Sequence, residues 1–339
     1  MSSPVYVDWA ITRICNLNCR HCVGMESVEL NHEEAVRVAN DIISLKPQWV
    51  ILEGGEPLMR PDLAEVGTMF RRAGIDVYVI TNGNAFTEAK IRELAAFSAK
   101  VLFSIDGASS EVYEYIKRGA KFNIAKEWAI RCAQAGIFQG MTTVLSRLNI
   151  GQIPQLIELC KELGGKSIIF LPLKPFGNDT EPLAYYRHNA LSAEEQAQAL
   201  KEIYRHRDDI DIFYDEPFMW NMAEKLGLQL SQSDSGITIP EVEGCAASYS
   251  IYIQTDGSVR PCMFSPARLN FGNATKEPLP QIWQRMRQDA TLVGWAKQES
   301  RSGACSKCSR FASCRGCLAR TTILLGDPLA ADPCCPFRT

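Results

Sequence analysis

The chain has 339 residues, 46% of them hydrophobic and 22% charged, with a net charge of −3 at pH 7. This length carries one large domain, or a barrel with a smaller module behind it, and ample core. The slightly acidic balance removes the electrostatic case for nucleic acid or an anionic membrane as partner. No run approaches the ~18 apolar residues of a membrane span, and Met1 to Asp8 lacks the basic-then-apolar layout of a signal peptide, so the expected location is the cytoplasm.

Thirteen cysteines are too many for an ordinary enzyme of a reducing compartment. Without an export signal, clustered cysteine reads as metal ligation rather than disulfides. Three lie near the start, at 15, 19 and 22, and eight in the last hundred residues, at 245, 262, 305, 308, 314, 317, 334 and 335. The remaining two, Cys132 and Cys160, sit in helical patterns and read as buried small hydrophobes.

In chain order, Val5 to Ile11 reads as a first strand, and Cys15-x3-Cys19-x2-Cys22 follows in a loop. Three thiolates from one short loop can hold three irons of a [4Fe–4S] cube and leave the fourth without a protein ligand. An open iron is a place for a small molecule to bind. The alternative is half of a zinc site, which wants four closed ligands and normally begins with a tighter C-x2-C pair.

Helix and strand then alternate. The pattern predicts helix over 33–45, strand over 48–52 ending in Glu53-Gly54-Gly55-Glu56-Pro57, helix over 60–73, and strand over 75–80 closed by Thr81-Asn82-Gly83. Helix over 87–97 with Thr87 as cap, strand over 100–105 leading into Asp106-Gly107, helix over 123–135 and strand over 137–145 follow. Helix over 153–163 and strand over 166–171 complete the series. Strands alternating with helices predict an α/β fold with a parallel sheet and its chemistry at the carboxyl ends of the strands.

Residues 171–190 read as a long polar, proline-rich loop at such an end, where Lys174, Asp179, Tyr185, Tyr186 and Arg187 are substrate-contact candidates and an ordinary connector is the alternative. A helix over 193–207 and a short strand over 210–214 come next, and Ser231 to Gly236 is the clearest linker. This predicts a barrel over 1–215, a connecting segment over 216–240 and a cysteine-rich module over 241–339.

In that module, Asp256-Gly257 between Ser250–Ile253 and Ser258–Arg260 predicts a hairpin. An amphipathic helix covers 279–286, followed by Cys305-x2-Cys308-x5-Cys314-x2-Cys317 and by Cys334-Cys335 after Asp332-Pro333. The four-cysteine run by itself also suits a zinc knuckle.

The first loop resembles the cluster loop of the radical S-adenosylmethionine (SAM) enzymes, C-x3-C-x-(aromatic)-C, with His21 in the aromatic slot. The resemblance implies a partial (β/α)6 TIM-like barrel. It implies that SAM chelates the open iron, and that a 5′-deoxyadenosyl radical abstracts hydrogen from a substrate. Gly54-Gly55-Glu56 looks like the motif that holds the amino group of SAM. Ser104 with Asp106, and Asn149, occupy positions where relatives contact SAM. Thr81, Asn82 and Arg118 are further candidates, balanced against capping or surface roles.

The C-terminal spacing resembles the SPASM domain, a small α+β auxiliary-cluster module. By that resemblance Cys245, Cys262 and Cys317 bind a first auxiliary cluster, and Cys305, Cys308, Cys314 and one of the final pair bind a second. The family ending Asp-Pro-x-Cys favours Cys335 over Cys334. The chain has C-x2-C at 314–317 where relatives have C-x3-C. Three ligands for the first auxiliary cluster leave either another closing group or an open iron.

The group making pyrroloquinoline quinone and mycofactocin is similar in style. It implies oxidation, decarboxylation or crosslinking of a ribosomal peptide, with an electron donor such as flavodoxin or ferredoxin. About a dozen residues precede the first cluster motif, too few for a leader-binding domain, so a peptide substrate is expected to need a separate recognition protein or none. Two alternatives stay open: the same chemistry on a small molecule, such as a porphyrin side chain or a sugar or nucleoside, and a non-enzymatic iron–sulfur carrier. No catalytic acid or base is assigned; the four histidines are scattered, and hydrolysis has no support.

Overall fold

The computed structural model describes residues 3–24, 28–176, 181–228 and 244–337. Asp179 and the linker at 231–236 lie outside the described residues, as does all of the connecting segment after 228.

The strands, in chain order, are β1 (Tyr6–Thr12), β2 (Asn18–Cys19), β3 (Trp49–Gly54), β4 (Asp76–Thr81), β5 (Lys100–Ser104), β6 (Lys117–Arg118), β7 (Phe138–Leu145), β8 (Ser167–Pro172), β9 (Asp211–Tyr214), β10 (Ser250–Ile253) and β11 (Val259–Arg260). Nine of them form one sheet in the order β11-β10-β1-β3-β4-β5-β7-β8-β9, with β2 and β6 as a separate small ladder. From β10 to β9 every pairing is parallel; only β10–β11 is antiparallel. The six predicted strands and the short seventh are all present, in the mixed α/β arrangement of a partial barrel.

Helices between the strands cover one face of the sheet. The first, His32–Leu45, starts where Asn31 accepts from the Glu34 amide and the Glu34 carboxylate accepts from the Asn31 amide. This reciprocal cap satisfies two otherwise orphaned donors. Thr87 caps Glu88–Ala96 by accepting from the Lys90 amide, as expected. Side chains alternate across a strand, so Val7, Trp9 and Ile11 of β1 are buried under the helices, with Trp9 edge-on to Phe70 of Leu63–Arg72. Tyr6 and Asp8 therefore face the lumen. Cys132 and Cys160 are fully buried among apolar neighbours.

Two features differ from the sequence reading. The predicted loop at 171–190 contains a helix, Glu181–Asn189, which buries Leu183 and Tyr186 against Ile323 and Leu324. Its apolar stripe is only two residues wide and its partner surface belongs to the C-terminal module, so local periodicity is weak. The predicted hairpin forms, but it also extends the barrel sheet: Tyr6, Val7, Asp8 and Trp9 pair with Ser250, Ile251, Tyr252 and Ile253. The module is further tied to the barrel through Leu279, whose amide donates to Asp41 of the first helix at 2.8 Å.

Candidate active site

The cysteine loop leaves the end of β1 and is held by β6. Cys19 lies opposite Lys117 and Asn18 opposite Arg118 in the β2–β6 ladder. The Arg20 amide donates to the Ile116 carbonyl at 3.0 Å, and its guanidinium lies over the Tyr115 ring at 4.2 Å. Arg118 Nε donates to the Asn18 carbonyl at 2.9 Å. These bonds fix the loop while Cys15 and Cys22 stay exposed. The Leu17 amide donates to Cys15 Sγ and the Gly24 amide to Cys22 Sγ, each at 3.4 Å. Such N–H donors suit thiolates that carry ligand charge. Burial pushes the Cys19 thiol up to about 11, so an ionised sulfur there needs a positive partner such as iron.

The Gly54-Gly55-Glu56 turn packs directly on this loop. The Gly55 amide donates to the Thr12 carbonyl and the Glu56 amide to the Ile14 carbonyl, both at 2.7 Å. A Cβ on Gly55 would sit 2.2 Å from the Ile14 oxygen, and Gly54, at φ +128°, has its own Cβ position 2.4 Å from the Thr12 oxygen. Only glycine permits this approach. Gly55→Ala is therefore expected to displace the cysteine loop: iron bound per chain after reconstitution should fall, while far-ultraviolet circular dichroism stays unchanged. Unaltered iron content would show that the loop tolerates the shift.

Glu56 is fully buried and joins the ends of β3 and β4. Its carboxylate accepts from Thr81 Oγ1 at 2.7 Å, from the Asn82 amide at 2.8 Å and from the Leu58 amide at 3.2 Å. Burial nevertheless raises its pKa to about 7. Asn82 Nδ2 reaches back to Asn16 Oδ1 at 2.8 Å and lies 4.0 Å from Cys15 Sγ. Thr81 and Asn82 thus join the cysteine loop to Glu56.

A second buried group lies on the far side of the loop. Asp106 is fully buried, its Oδ1 accepting from the Val144 amide at 2.8 Å. Its Oδ2 is 3.1 Å from Lys117 Nζ and 3.5 Å from His21 Nε2. Lys117 also donates to Ser104 Oγ at 2.8 Å. Burial opposes the lysine charge, but Asp106 outweighs it and the Lys117 pKa is raised. Burial lowers His21 to about 4, against the pull of Asp106, so its imidazole is neutral. Asn149 is also fully buried: its Nδ2 donates to the Asp106 and Val144 carbonyls at 2.9 and 2.8 Å, and its Oδ1 accepts from the Ser146 amide at 2.8 Å. It ties the ends of β5 and β7 together. Lys117 is missing from the sequence reading; beside Arg118 and Gly119 it looks like an ordinary solvated charge, and only the approach of the cysteine loop buries it.

Of the candidates in 171–190, Tyr185 reaches the site, its ring centroid 6.4 Å from that of His21. Arg118 forms an ion pair with Glu181 at 3.0 Å, on the surface. Lys174 is buried at the end of β8, donating to the Asp215 carbonyl at 2.8 Å and lying 4.0 Å from the fully buried Glu216. Asp215 outweighs the effect of burial and raises the Lys174 pKa; the same lysine lies within electrostatic range of Cys317 and Cys262.

The C-terminal thiols fall into two neighbourhoods. Cys317 hydrogen-bonds with Cys245, which raises its pKa with burial, and Cys262 feels the charge of Cys317. Cys335 feels Cys305 and Cys308, and Cys314 feels Cys335. Cys334 turns elsewhere, its Sγ 3.7 Å from Tyr186 Oη. Among the described residues no three His, Cys, Asp or Glu side chains converge as around one bare ion; a cube places each ligand sulfur on a separate iron. The donor chemistry fits iron–sulfur clusters: thiols in threes and fours, with amide donors to Cys15, Cys22, Cys314 and Cys335.

Comparison with known proteins agrees. The radical SAM superfamily model matches residues 9–160, and the SPASM iron–sulfur cluster-binding domain matches 245–317. "AdoMet-dependent heme synthase" of Methanosarcina barkeri is 29% identical, across 99% of this chain and 97% of its own. "Mycofactocin maturase MftC" of Mycobacterium tuberculosis is 26% identical, across 99% and 83%. Streptococcus suis SuiB bound to precursor peptide SuiA superposes with a TM-score of 0.76 at 16% identity, across 98% of this chain and 75% of that one, which shows the fold. No helix among the described residues is long and apolar enough to cross a membrane. The chain carries a radical SAM domain over residues 9–160 and a SPASM domain for auxiliary iron–sulfur clusters over 245–317, and is an enzyme that uses SAM and a [4Fe–4S] cluster.

Proposed function

We propose that this enzyme matures a ribosomal peptide, oxidising, decarboxylating or crosslinking it after abstracting hydrogen, and that an auxiliary cluster takes up the electron. The cluster and its SAM supply the carbon radical that takes the hydrogen. Cys15, Cys19 and Cys22 would hold the first cluster. The Gly54-Gly55 backbone and the Glu56 carboxylate, preset by Thr81, Asn82 and Leu58, accept the SAM ammonium. Ser104, His21 and Asp106, paired with Lys117, frame the other side, and Asn149 acts by holding the ends of β5 and β7 in place. A one-electron donor such as flavodoxin or ferredoxin supplies the reductant, and a separate recognition protein can present the peptide.

The observation that carries the reading is the position of Lys174. It is buried at the barrel mouth and lies within electrostatic range of both Cys262 and Cys317. Cys245, Cys262 and Cys317 would hold a first auxiliary cluster beside Lys174, and that cluster would supply one-electron chemistry near the mouth. The identity to the heme synthase, and the 25% identity to the "Fe-coproporphyrin III synthase" of Methanosarcina barkeri, favour a second reading: decarboxylation of a porphyrin side chain.

The deciding experiment measures 5′-deoxyadenosine from anaerobically reconstituted protein with SAM and dithionite, in the presence of a short peptide encoded beside the gene or of Fe-coproporphyrin III. Acceleration by the peptide, with a change in its mass, supports maturation. Acceleration by the porphyrin alone, with release of CO2, establishes the second reading instead. For the second auxiliary cluster, on Cys305, Cys308, Cys314 and Cys335, Cys335→Ser is expected to lower iron content and Cys334→Ser to leave it unchanged. The opposite order would exchange the two assignments.

A further inference from the structure

The barrel and the C-terminal module meet at a group of buried charges that the SAM-facing residues do not include. Lys174 follows the end of β8, and Asp215 and Glu216 follow the end of β9. Arg320 comes from the module, three residues past Cys317, in the helix Leu318–Leu325. Lys174, Glu216, Arg320 and Asp332 are all buried. Arg320 Nη2 donates to Glu216 Oε1 at 2.6 Å, and its Nη1 lies 3.4 Å from Asp332 Oδ1. Lys174 Nζ donates to the Asp215 carbonyl at 2.8 Å and lies 4.0 Å from the Glu216 carboxylate. Asp332 Oδ2 in turn accepts from the Cys317 amide at 2.8 Å.

Both cations adjoin thiols assigned to the first auxiliary cluster. Lys174 Nζ sits 5.7 Å from the centroid of the Phe264 ring, and the Phe264 amide donates to Cys262 Sγ. Burial raises the Cys262 thiol to about 11, against a pull from Lys174. Cys245 and burial raise Cys317, while Arg320 and Lys174 pull it down. The second set of thiols meets the opposite sign. Burial raises Cys314, with Asp332 and Glu216 adding to it, and burial raises Cys335, again with a push from Asp332. Lys174 keeps its charge, because Asp215 and Glu216 outweigh the opposing effect of burial and raise its pKa. The Asp215 side chain is 52% exposed, so water screens it, and Glu216 is shared with Arg320. The field of Lys174 toward Cys262 and Cys317 is therefore only partly offset.

We propose that Lys174, supported by Arg320, tunes the first auxiliary cluster toward accepting an electron, raising its reduction potential and leaving that of the second largely untouched. This inference rests on the reading that Cys245, Cys262 and Cys317 hold the first cluster, and it names what favours the electron there. A substrate radical that gives up one electron sheds a proton or CO2 to complete a closed-shell product. The electron adds one negative charge among the sulfurs and irons at those three cysteines. A buried cation stabilises that charge, because the dry interior leaves their attraction largely unscreened. Iron–sulfur potentials follow the net charge around the cluster for this reason. Lys174 acts through the cluster's surroundings and needs no contact with substrate.

The test is an anaerobic redox titration of the full chain with its clusters assembled, followed by electron paramagnetic resonance. It is run at pH 8.5, above the value of about 7 to which burial raises Glu216, so that this carboxyl is ionised. The signal lost in Cys262→Ser belongs to the first auxiliary cluster, and the signal lost in Cys335→Ser to the second. Lys174→Met is expected to weaken reduction of the first about tenfold, ~59 mV for one electron, with a smaller shift at the second. Lys174→Arg should keep the wild-type potential. Glu216→Gln removes an acid lying between the two cations and should move the first potential upward, a change of sign that lost packing does not produce. An unmoved first potential in Lys174→Met, an equal shift at both clusters, or a Lys174→Arg potential as low as that of Lys174→Met overturns the proposal. If Lys174→Met fails to assemble its clusters, Glu216→Gln decides: an upward shift supports the proposal, and no shift or a downward one overturns it. If no signal depends on Cys262, the ligand assignment itself fails. A signal that depends on Cys262 and ignores both charge changes refutes the role of Lys174 alone.

Discussion

Replacing Cys15 by alanine is expected to reduce 5′-deoxyadenosine formation from SAM to background. The loop has three thiols for three irons and no spare: the next cysteine in the chain is Cys132, which is fully buried in a helix. Losing one thiolate leaves an iron without its protein ligand, and the rigid β2–β6 ladder prevents the loop from rearranging to offer another. Iron and acid-labile sulfide per chain should fall together with product. Cys132→Ala is the control, because it removes a buried thiol that belongs to neither cysteine group and should keep activity. Product at the wild-type rate from Cys15→Ala would show that the loop is not the site of SAM cleavage.

Replacing Lys117 by methionine is expected to lower stability by about 3–5 kcal/mol, the usual cost of stranding one member of a buried ion pair. Lys117 and Asp106 are 3% and 0% exposed, so solvent cannot take over the lost partner. Asp106 keeps its bond from the Val144 amide, but its Oδ2 is left facing only the neutral His21. Urea unfolding of the variant should show the loss. The double variant Lys117→Met with Asp106→Asn should recover part of it, because the stranded charge is gone. An unfolding midpoint equal to wild type would exclude a structural role for the pair. The substitution should also loosen the cysteine loop, since the residue opposite Cys19 in the ladder is Lys117 itself.

Local signals carried most of the barrel. Apolar periodicities between 5 and 171 located every parallel strand of that stretch, because a strand buried on both faces and an amphipathic helix each leave a pattern within a few residues. The candidate cluster ligands were legible for the same reason: Cys15, Cys19 and Cys22 lie on one loop, and thiol chemistry needs no distant partner to be suspected. Gly54 and Gly55 were visible as a turn, but the reason only glycine fits is the approach of the Thr12 and Ile14 carbonyls, some forty residues earlier in the chain.

What remained hidden depends on contacts between distant segments. Lys117 becomes a buried counter-ion because β6 lies against the cysteine loop about a hundred residues away in sequence. The helix Glu181–Asn189 buries its narrow stripe on Ile323 and Leu324. The pairing of β10 with β1 brings Tyr252 beside Asp8, which no local pattern relates. Sequence alone determined the clustered thiols, the order of helices and strands and the Gly54-Gly55-Glu56 turn, since each depends on neighbours along the chain. Tertiary structure alone decided which charges are buried, which cysteine of the final pair turns to the others and which side chains share the lumen face, because burial and electrostatic pairing arise only when remote segments exclude water together.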